Sequence, residues 1–156
     1  MTNHFGTPTI TPPMTLADFT IGRTFMSETY EVTADEIIEF ATKYDPQFFH
    51  LDAEAAKQSF FKGLAASGWH VAGIAMRLFV HSVPVVGGMI GSRGEIAWLK
   101  PTRPGDFLQV ESTVMDVKAS RSRPGRGTIT MSSITRNQHG DTVQTFTARI
   151  VIGETG

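Results

Sequence analysis

The stretch GLAASGWHVAGIAMRLFVHSV, residues 63–83, decides how the rest of the chain is read. From Ser67 onward Val71, Ile74, Ala75, Leu78 and Phe79 recur at helical spacing. The faces between them are also small or apolar, with Ala72, Gly73 and Met76. The pattern predicts a helix from Ser67 to about Val83, with Ser67 as its cap and Gly68 as its first residue. A helix that is apolar on most sides is a buried one. In a chain of 156 residues its natural wrapping is a sheet.

The sequence downstream supplies that sheet. Four β-rich segments follow, at 88–99, 106–119, 127–137 and 142–152. P-T-R-P-G-D (101–106), R-P-G-R-G (123–127) and H-G-D (139–141) read as the turns between them. Strands so closely spaced predict an antiparallel meander. Gly87, Gly88, Gly91 and Gly94 match no phosphate-binding loop and point to a bent strand.

Upstream, G-R-T-F-M-S-E-T-Y-E-V (22–32) alternates as a strand. Thr33 and Glu36 then form a capping-box pattern ahead of Ile37, Phe40 and Ala41, which predicts a helix over 34–43. Asp45-Pro46 stops it, because the residue before a proline avoids the helical region. A short helix over 52–59 follows, with Asp52 as its cap. Residues 1–17 are rich in Thr and Pro and read as an extended arm, frayed or draped over the body or a partner subunit. Residues 18–156 form one domain, with ordered structure starting near Asp18. A long helix held by a curved antiparallel sheet is an α+β architecture.

Composition narrows the function. Fourteen basic residues against fifteen acidic ones give a net charge of −1, which argues against a general nucleic-acid binder. Cysteine is absent, so disulfides, thiol chemistry and Cys-ligated zinc are excluded. Reducing conditions fit that absence, and a soluble cytoplasmic protein is the default. No stretch reaches the roughly 18 apolar residues that span a bilayer; Ser67, His70, Arg77 and His81 interrupt the longest candidate.

The chemistry-bearing residues cluster before the long helix. Y-D-P-Q-F-F-H (44–50) places Asp45 and His50 five positions apart around a proline. Two readings fit. One is a turn that contains two polar residues. The other is an acid–base pair acting on one water, beside a helix start whose free N–H groups can hold a developing oxyanion. Gly68 is the candidate donor, although a glycine there equally lets a neighbouring element approach. Ser67 lacks the G-x-S-x-G surroundings of a hydrolase nucleophile. His70 either lines the pocket or is a satisfied, partly buried histidine. His50, Asp45 and Asp52 fit no zinc spacing, so no metal is expected. Lys118, Arg121, Arg123 and Arg126 form a basic loop that reads first as a solvated hairpin tip and second as a contact for an anionic substrate.

F-A-T-K-Y-D-P-Q-F-F-H-L-D-A-E-A-A (40–56), G-L-A-A-S-G-W-H-V-A-G-I-A-M-R-L (63–78) and E-I-A-W-L-K-P-T-R-P-G-D (95–106) resemble the MaoC-like dehydratases, hot-dog-fold relatives of the R-specific enoyl-CoA hydratases. The likeness runs over roughly residues 18–152. It implies a five-stranded antiparallel sheet around a central helix, and at least a homodimer. It implies Asp45 and His50 as the catalytic pair and Gly68 as the amide that holds the thioester oxygen; Ser67 and His70 are further candidates for that oxyanion and substrate site from their place in the sequence. The substrate would be an acyl-CoA or acyl-carrier thioester, with no cofactor. The hydratase motif D-x-N-P-x-H is here D-P-Q-F-F-H: Gln47 stands in place of the Asn and Phe48 in place of the Pro. A subgroup of the family carries D-P-Q-x-x-H.

Two alternatives stand beside this. Hot-dog thioesterases commonly carry an acidic residue on the central helix, whereas no acid occurs between Glu54 and Glu95 here. A non-catalytic acyl-thioester-binding subunit would have no need of both Asp45 and His50.

Overall fold

A computed structural model describes residues 4–153. Residues 1–3 of the expected arm and 154–156 of the expected domain lie outside the described residues. The elements run β1 (Thr24–Glu31), α1 (Ala34–Tyr44), α2 (Phe48–Leu51), α3 (Ala53–Ala56), α4 (Gly68–Ser82), β2 (Ile90–Trp98), β3 (Phe107–Ala119), β4 (Gly127–Arg136) and β5 (Thr142–Ile152). The five strands form one sheet in the order β1-β3-β4-β5-β2, antiparallel at every pairing. The sheet holds α4, which is the hot-dog arrangement, an α+β fold.

The expected meander holds for β3, β4 and β5. It fails for β2, which crosses to the far edge and pairs with β5. The cause lies in the segment that joins β2 to β3. Val32, just past β1, receives the Gly105 N–H on its carbonyl at 2.7 Å and donates its own N–H to the Asp106 carbonyl at 2.8 Å. These bonds start β3 beside β1, too far from β2 for a hairpin. The glycine-rich strand does bend: the β2–β5 register shifts between Gly91 and Arg93.

Helix α1 is capped at one end of the expected box. Thr33 Oγ1 accepts the Glu36 N–H at 3.2 Å, while the Glu36 carboxylate turns away to take the Tyr30 hydroxyl at 2.7 Å. Ile37 and Ala41 are its buried face.

Helix α4 joins two halves of the core. Phe79 and Val83 pack among Phe25, Val114, Ile129 and Met131. Val71, Ile74 and Leu78 pack among Val32, Ile37, Leu108 and Val110. Each such side chain contributes roughly 1.5–3 kcal/mol on full burial. The helix is not enclosed on every side, however. Trp69, Met76 and Val80 form an exposed stripe, Trp69 at 62%. A single sheet covers one face of a helix, and this stripe is the face it leaves.

The order in the chain begins before Asp18. Met14 is 2% exposed and packs in the core; its N–H donates to the Pro84 carbonyl and its carbonyl accepts from Val86, each at 2.9 Å. Farther upstream the arm drapes over the body. Thr9 bonds both to the Met26 carbonyl and to the Met26 N–H along the outer edge of β1. The Gln109 amide grips both backbone groups of Gly6. No helix among the described residues is long and apolar enough to cross a membrane.

Candidate functional site

Asp45 closes α1, its own N–H donating to the Ala41 carbonyl at 2.9 Å. Pro46 then forces the chain off the helical path. Sequence reasoning leaves His50 in a loop, but it sits in the single turn of α2. Gln47 starts that turn, and its carbonyl accepts the His50 N–H at 2.9 Å. One proline between two short helices thus turns Asp45 and His50 toward each other. His50 Nε2 lies 3.3 Å from Asp45 Oδ2.

The other contacts of the pair fix its geometry. His50 is 4% exposed, and its Nδ1 lies 2.6 Å from the Ala65 carbonyl. A carbonyl only accepts, so the hydrogen-bond network assigns the proton to Nδ1. In the neutral ring that leaves the Nε2 lone pair directed at the Asp45 side. Phe49 and Phe61 pack around the imidazole, with ring centroids 4.6 and 5.9 Å away. Asp45 Oδ1 accepts from Gln47 Nε2 at 2.6 Å, and Oδ2 accepts from Ser67 Oγ at 2.7 Å. Burial pushes the Asp45 carboxyl up, but the Gln47 and Ser67 hydrogen bonds, with the positive charge of the His50 ring when it is protonated, together outweigh it. The net result lies below the usual carboxylate value, so the group is an anion at neutral pH.

Ser67 occupies the cap position of α4 by its backbone, yet its side chain makes no cap. The hydroxyl, fully buried, is committed to Asp45. This corrects the expected side-chain cap. Gly68 is the first residue of α4, where helical geometry leaves the N–H without an intrahelical acceptor. A Cβ at Gly68 would stand 2.6 Å from Trp98 Cε2, so close approach is also a real requirement here. Trp98 in turn meets Trp69 edge-on and donates its indole N–H to Gln144 at 3.0 Å.

His70 turns to α1 and stacks on Phe40, with centroids 4.8 Å apart and planes 7° apart. Its Nδ1 is buried without a partner among the described residues. Burial lowers its pKa and the Glu36 charge only partly opposes this. Among the described residues no hydrogen bond or ion pair links His70 to Asp45 or His50. Asp52 caps α3, accepting from the N–H groups of Glu54 and Ala55. Among the described residues no group of three His, Cys, Asp or Glu side chains is placed to hold a metal.

An apolar cleft of about 1010 Å³ lies between the exposed face of α4 and strands β2 and β5. Met76, Val80, Ile96 and Phe146 line it, and Trp69 and Gln144 stand at the end nearest Gly68. Asp45 and His50 are not among its lining residues. Sequence reasoning missed Gln47, Phe61 and the Ala65 carbonyl as parts of the site. For Gln47 a signal existed, since it holds the motif position of the family's Asn.

The family model of the MaoC-like domain matches residues 17–137. The chain belongs to the MaoC-like domain family. This MaoC-like domain is similar to the crystal structure of a MaoC-like dehydratase from Rhodospirillum rubrum, at 49% identity and a TM-score of 0.87, over 92% of this chain and 99% of that one. The R-hydratase PhaJ1 from Pseudomonas aeruginosa has the same fold, at 24% identity and a TM-score of 0.76, over 92% of this chain and 88% of that one. Among curated proteins, the uncharacterized protein YdeM of Bacillus subtilis (strain 168) is 30% identical over 129 residues, 80% of this chain and 90% of its own length. Membership supports hydratase or dehydratase chemistry in the broad sense.

Proposed function

We propose that this MaoC-like domain adds water to a trans-2-enoyl thioester to give the R-3-hydroxyacyl thioester, and catalyses the reverse dehydration. The observation that carries the reading is the 3.3 Å approach of His50 Nε2 to Asp45 Oδ2, with Nδ1 held by the Ala65 carbonyl. A water hydrogen-bonded to both groups from the side meets a lone pair on one and an anionic carboxylate on the other. Its oxygen forms the bond to C3 as a proton passes to the pair. The C2–C3 π electrons move toward the thioester carbonyl, whose oxygen takes negative charge. The Gly68 N–H is the donor suited to that oxygen. The pair then returns a proton to C2. Asp45 remains the anion that orients the water, because Gln47 and Ser67 stabilise its charge.

The substrate is an acyl-CoA or acyl-carrier thioester, and no cofactor takes part. The working unit is a homodimer or higher homo-oligomer, supported by the uncovered α4 stripe and the unpaired edge of β2. The thioesterase alternative lacks its usual carboxylate, since α4 carries no acidic residue.

The test measures hydration of short enoyl-CoAs, product stereochemistry and thioester cleavage in parallel. Asp45→Asn and His50→Gln should each lose about 10²- to 10⁴-fold in hydration rate with the fold intact. Full activity in either folded variant refutes the assignment. Cleavage by the wild type without hydration replaces it with the thioesterase.

A further inference from the structure

The segment from Lys57 to Ser67 joins α3 to α4 without a regular element, so its backbone groups need partners from elsewhere. Its last residues nevertheless set the whole site. The Ala65 carbonyl holds His50, the Ser67 hydroxyl holds Asp45, and Gly68 follows at once. Leu64, Ala65, Ala66 and Ser67 are all buried. The Ala65 N–H donates to the Phe49 carbonyl at 3.2 Å, and further holds on the segment come from the P-T-R-P-G-D turn, far away in sequence. Arg103 Nη1 donates to the Gly63 carbonyl at 3.0 Å and to the Leu64 carbonyl at 3.3 Å, and Nη2 donates to the Phe61 carbonyl. The Ala66 N–H donates to the Thr102 carbonyl at 2.9 Å. The turn itself is locked, because buried Asp106 accepts the Arg103 N–H on Oδ2 at 2.8 Å and the Gln138 amide on Oδ1 at 2.8 Å.

We propose that Arg103 is a positioning residue: its planar fork gathers the carbonyls of residues 61, 63 and 64 and thereby places the Ala65 carbonyl against His50 and the Ser67 hydroxyl against Asp45. Lysine cannot replace it, because a single ammonium does not span three carbonyls in a plane. Its effect on turnover rests on the hydration reading above; its effect on the His50 imidazole does not.

The experiment uses the full chain with Arg103→Ala and Arg103→Lys. The first readout is the His50 Nδ1–H resonance in proton–nitrogen NMR, assigned by its loss in His50→Gln. In the wild type this proton should be slow to exchange, since the ring is buried and Nδ1 is held by the Ala65 carbonyl. In both variants it should exchange fast or shift toward the solvent-bonded position. The second readout is enoyl-CoA hydration. Misplacing a catalytic group by about 1 Å costs on the order of 10²-fold, so kcat in Arg103→Ala should fall by about that factor while KM changes little. Millimolar methylguanidinium should restore kcat in Arg103→Ala, and methylammonium should not. Should Arg103→Ala fail to fold, Arg103→Lys carries both measurements. A folded variant whose His50 proton is unmoved overturns the proposal. So does a loss of rate that follows only the unfolded fraction and ignores methylguanidinium. A wild type without hydration activity but with the expected NMR change sinks the proposed reaction and leaves the Arg103 clamp standing.

Discussion

Replacing Gly68 with alanine separates two roles that meet at one residue. Alanine keeps the backbone N–H, and its methyl would stand 2.6, 2.8 and 3.0 Å from three atoms of the Trp98 ring. Carbon atoms rest about 3.5–4.0 Å apart, so the indole must retreat by roughly 1 Å. Overpacking of this kind costs about 1–3 kcal/mol. The retreat also draws the indole N–H away from Gln144, which is 2% exposed. Leaving that acceptor unmet costs about 1–3 kcal/mol more. Alanine's better helix propensity returns up to about 1 kcal/mol. The balance is a loss of about 3 kcal/mol, or roughly 6–12 °C in Tm for a chain of this size. Thermal and urea unfolding at fixed protein concentration measure it. The decisive arm is the Trp98→Ala background, where the same substitution should cost almost nothing, giving a coupling energy of about 3 kcal/mol. If Gly68→Ala melts with the wild type, or its cost survives without Trp98, the close-approach argument is wrong.

Two further outcomes concern pH. The Asp45 carboxyl lies below its ordinary value of 3.8 in the folded protein, so its stabilisation is complete above that value and is lost as pH falls through the folded one. The stability difference between wild type and Asp45→Asn, followed by thermal melts from pH 6 to pH 3, should therefore shrink toward the acid end; a constant difference would contradict it. The His70 pKa is also lowered, mainly by burial, so the folded state resists protonation there and stability declines as pH falls below the ordinary value of 6.5. His70→Phe keeps the stack on Phe40 and removes both the titration and the unpartnered Nδ1, so it should gain stability, and gain more at pH 5 than at pH 8 in the same melts.

The local elements were legible because each carries its own punctuation. Thr33 marks the start of α1, Asp45-Pro46 its end, and the glycine turns near 125 and 140 bound β4. The partner of β2 was not legible, because the bonds that divert it run between Val32 and Gly105–Asp106, more than seventy positions apart in sequence. In the site, Asp45, His50 and Gly68 could be singled out by residue type and spacing. Ser67 was misassigned, because serine before a helix normally caps and nothing local reveals a carboxylate 22 positions back competing for its hydroxyl. The Ala65 carbonyl was invisible for a different reason. Every residue has a carbonyl, so side-chain identity carries no trace of which one will hold an imidazole. His70 falls between these cases: its stack depends on where α1 crosses α4, which periodicity does not specify.

The two rims of the sheet are treated differently by the chain. Along β1 the N-terminal segment occupies backbone groups at Met26 and lays itself outside the strand, while β2 runs past β5 with its outer side bare. A sheet sticky at both rims would accept copy after copy and grow into a filament. With one rim plugged, strand-to-strand growth terminates after a single mating event. For the proposed assembly through β2, trimming the chain ahead of Met14 would therefore open a second point of accretion, a hazard created far from Asp45 and His50.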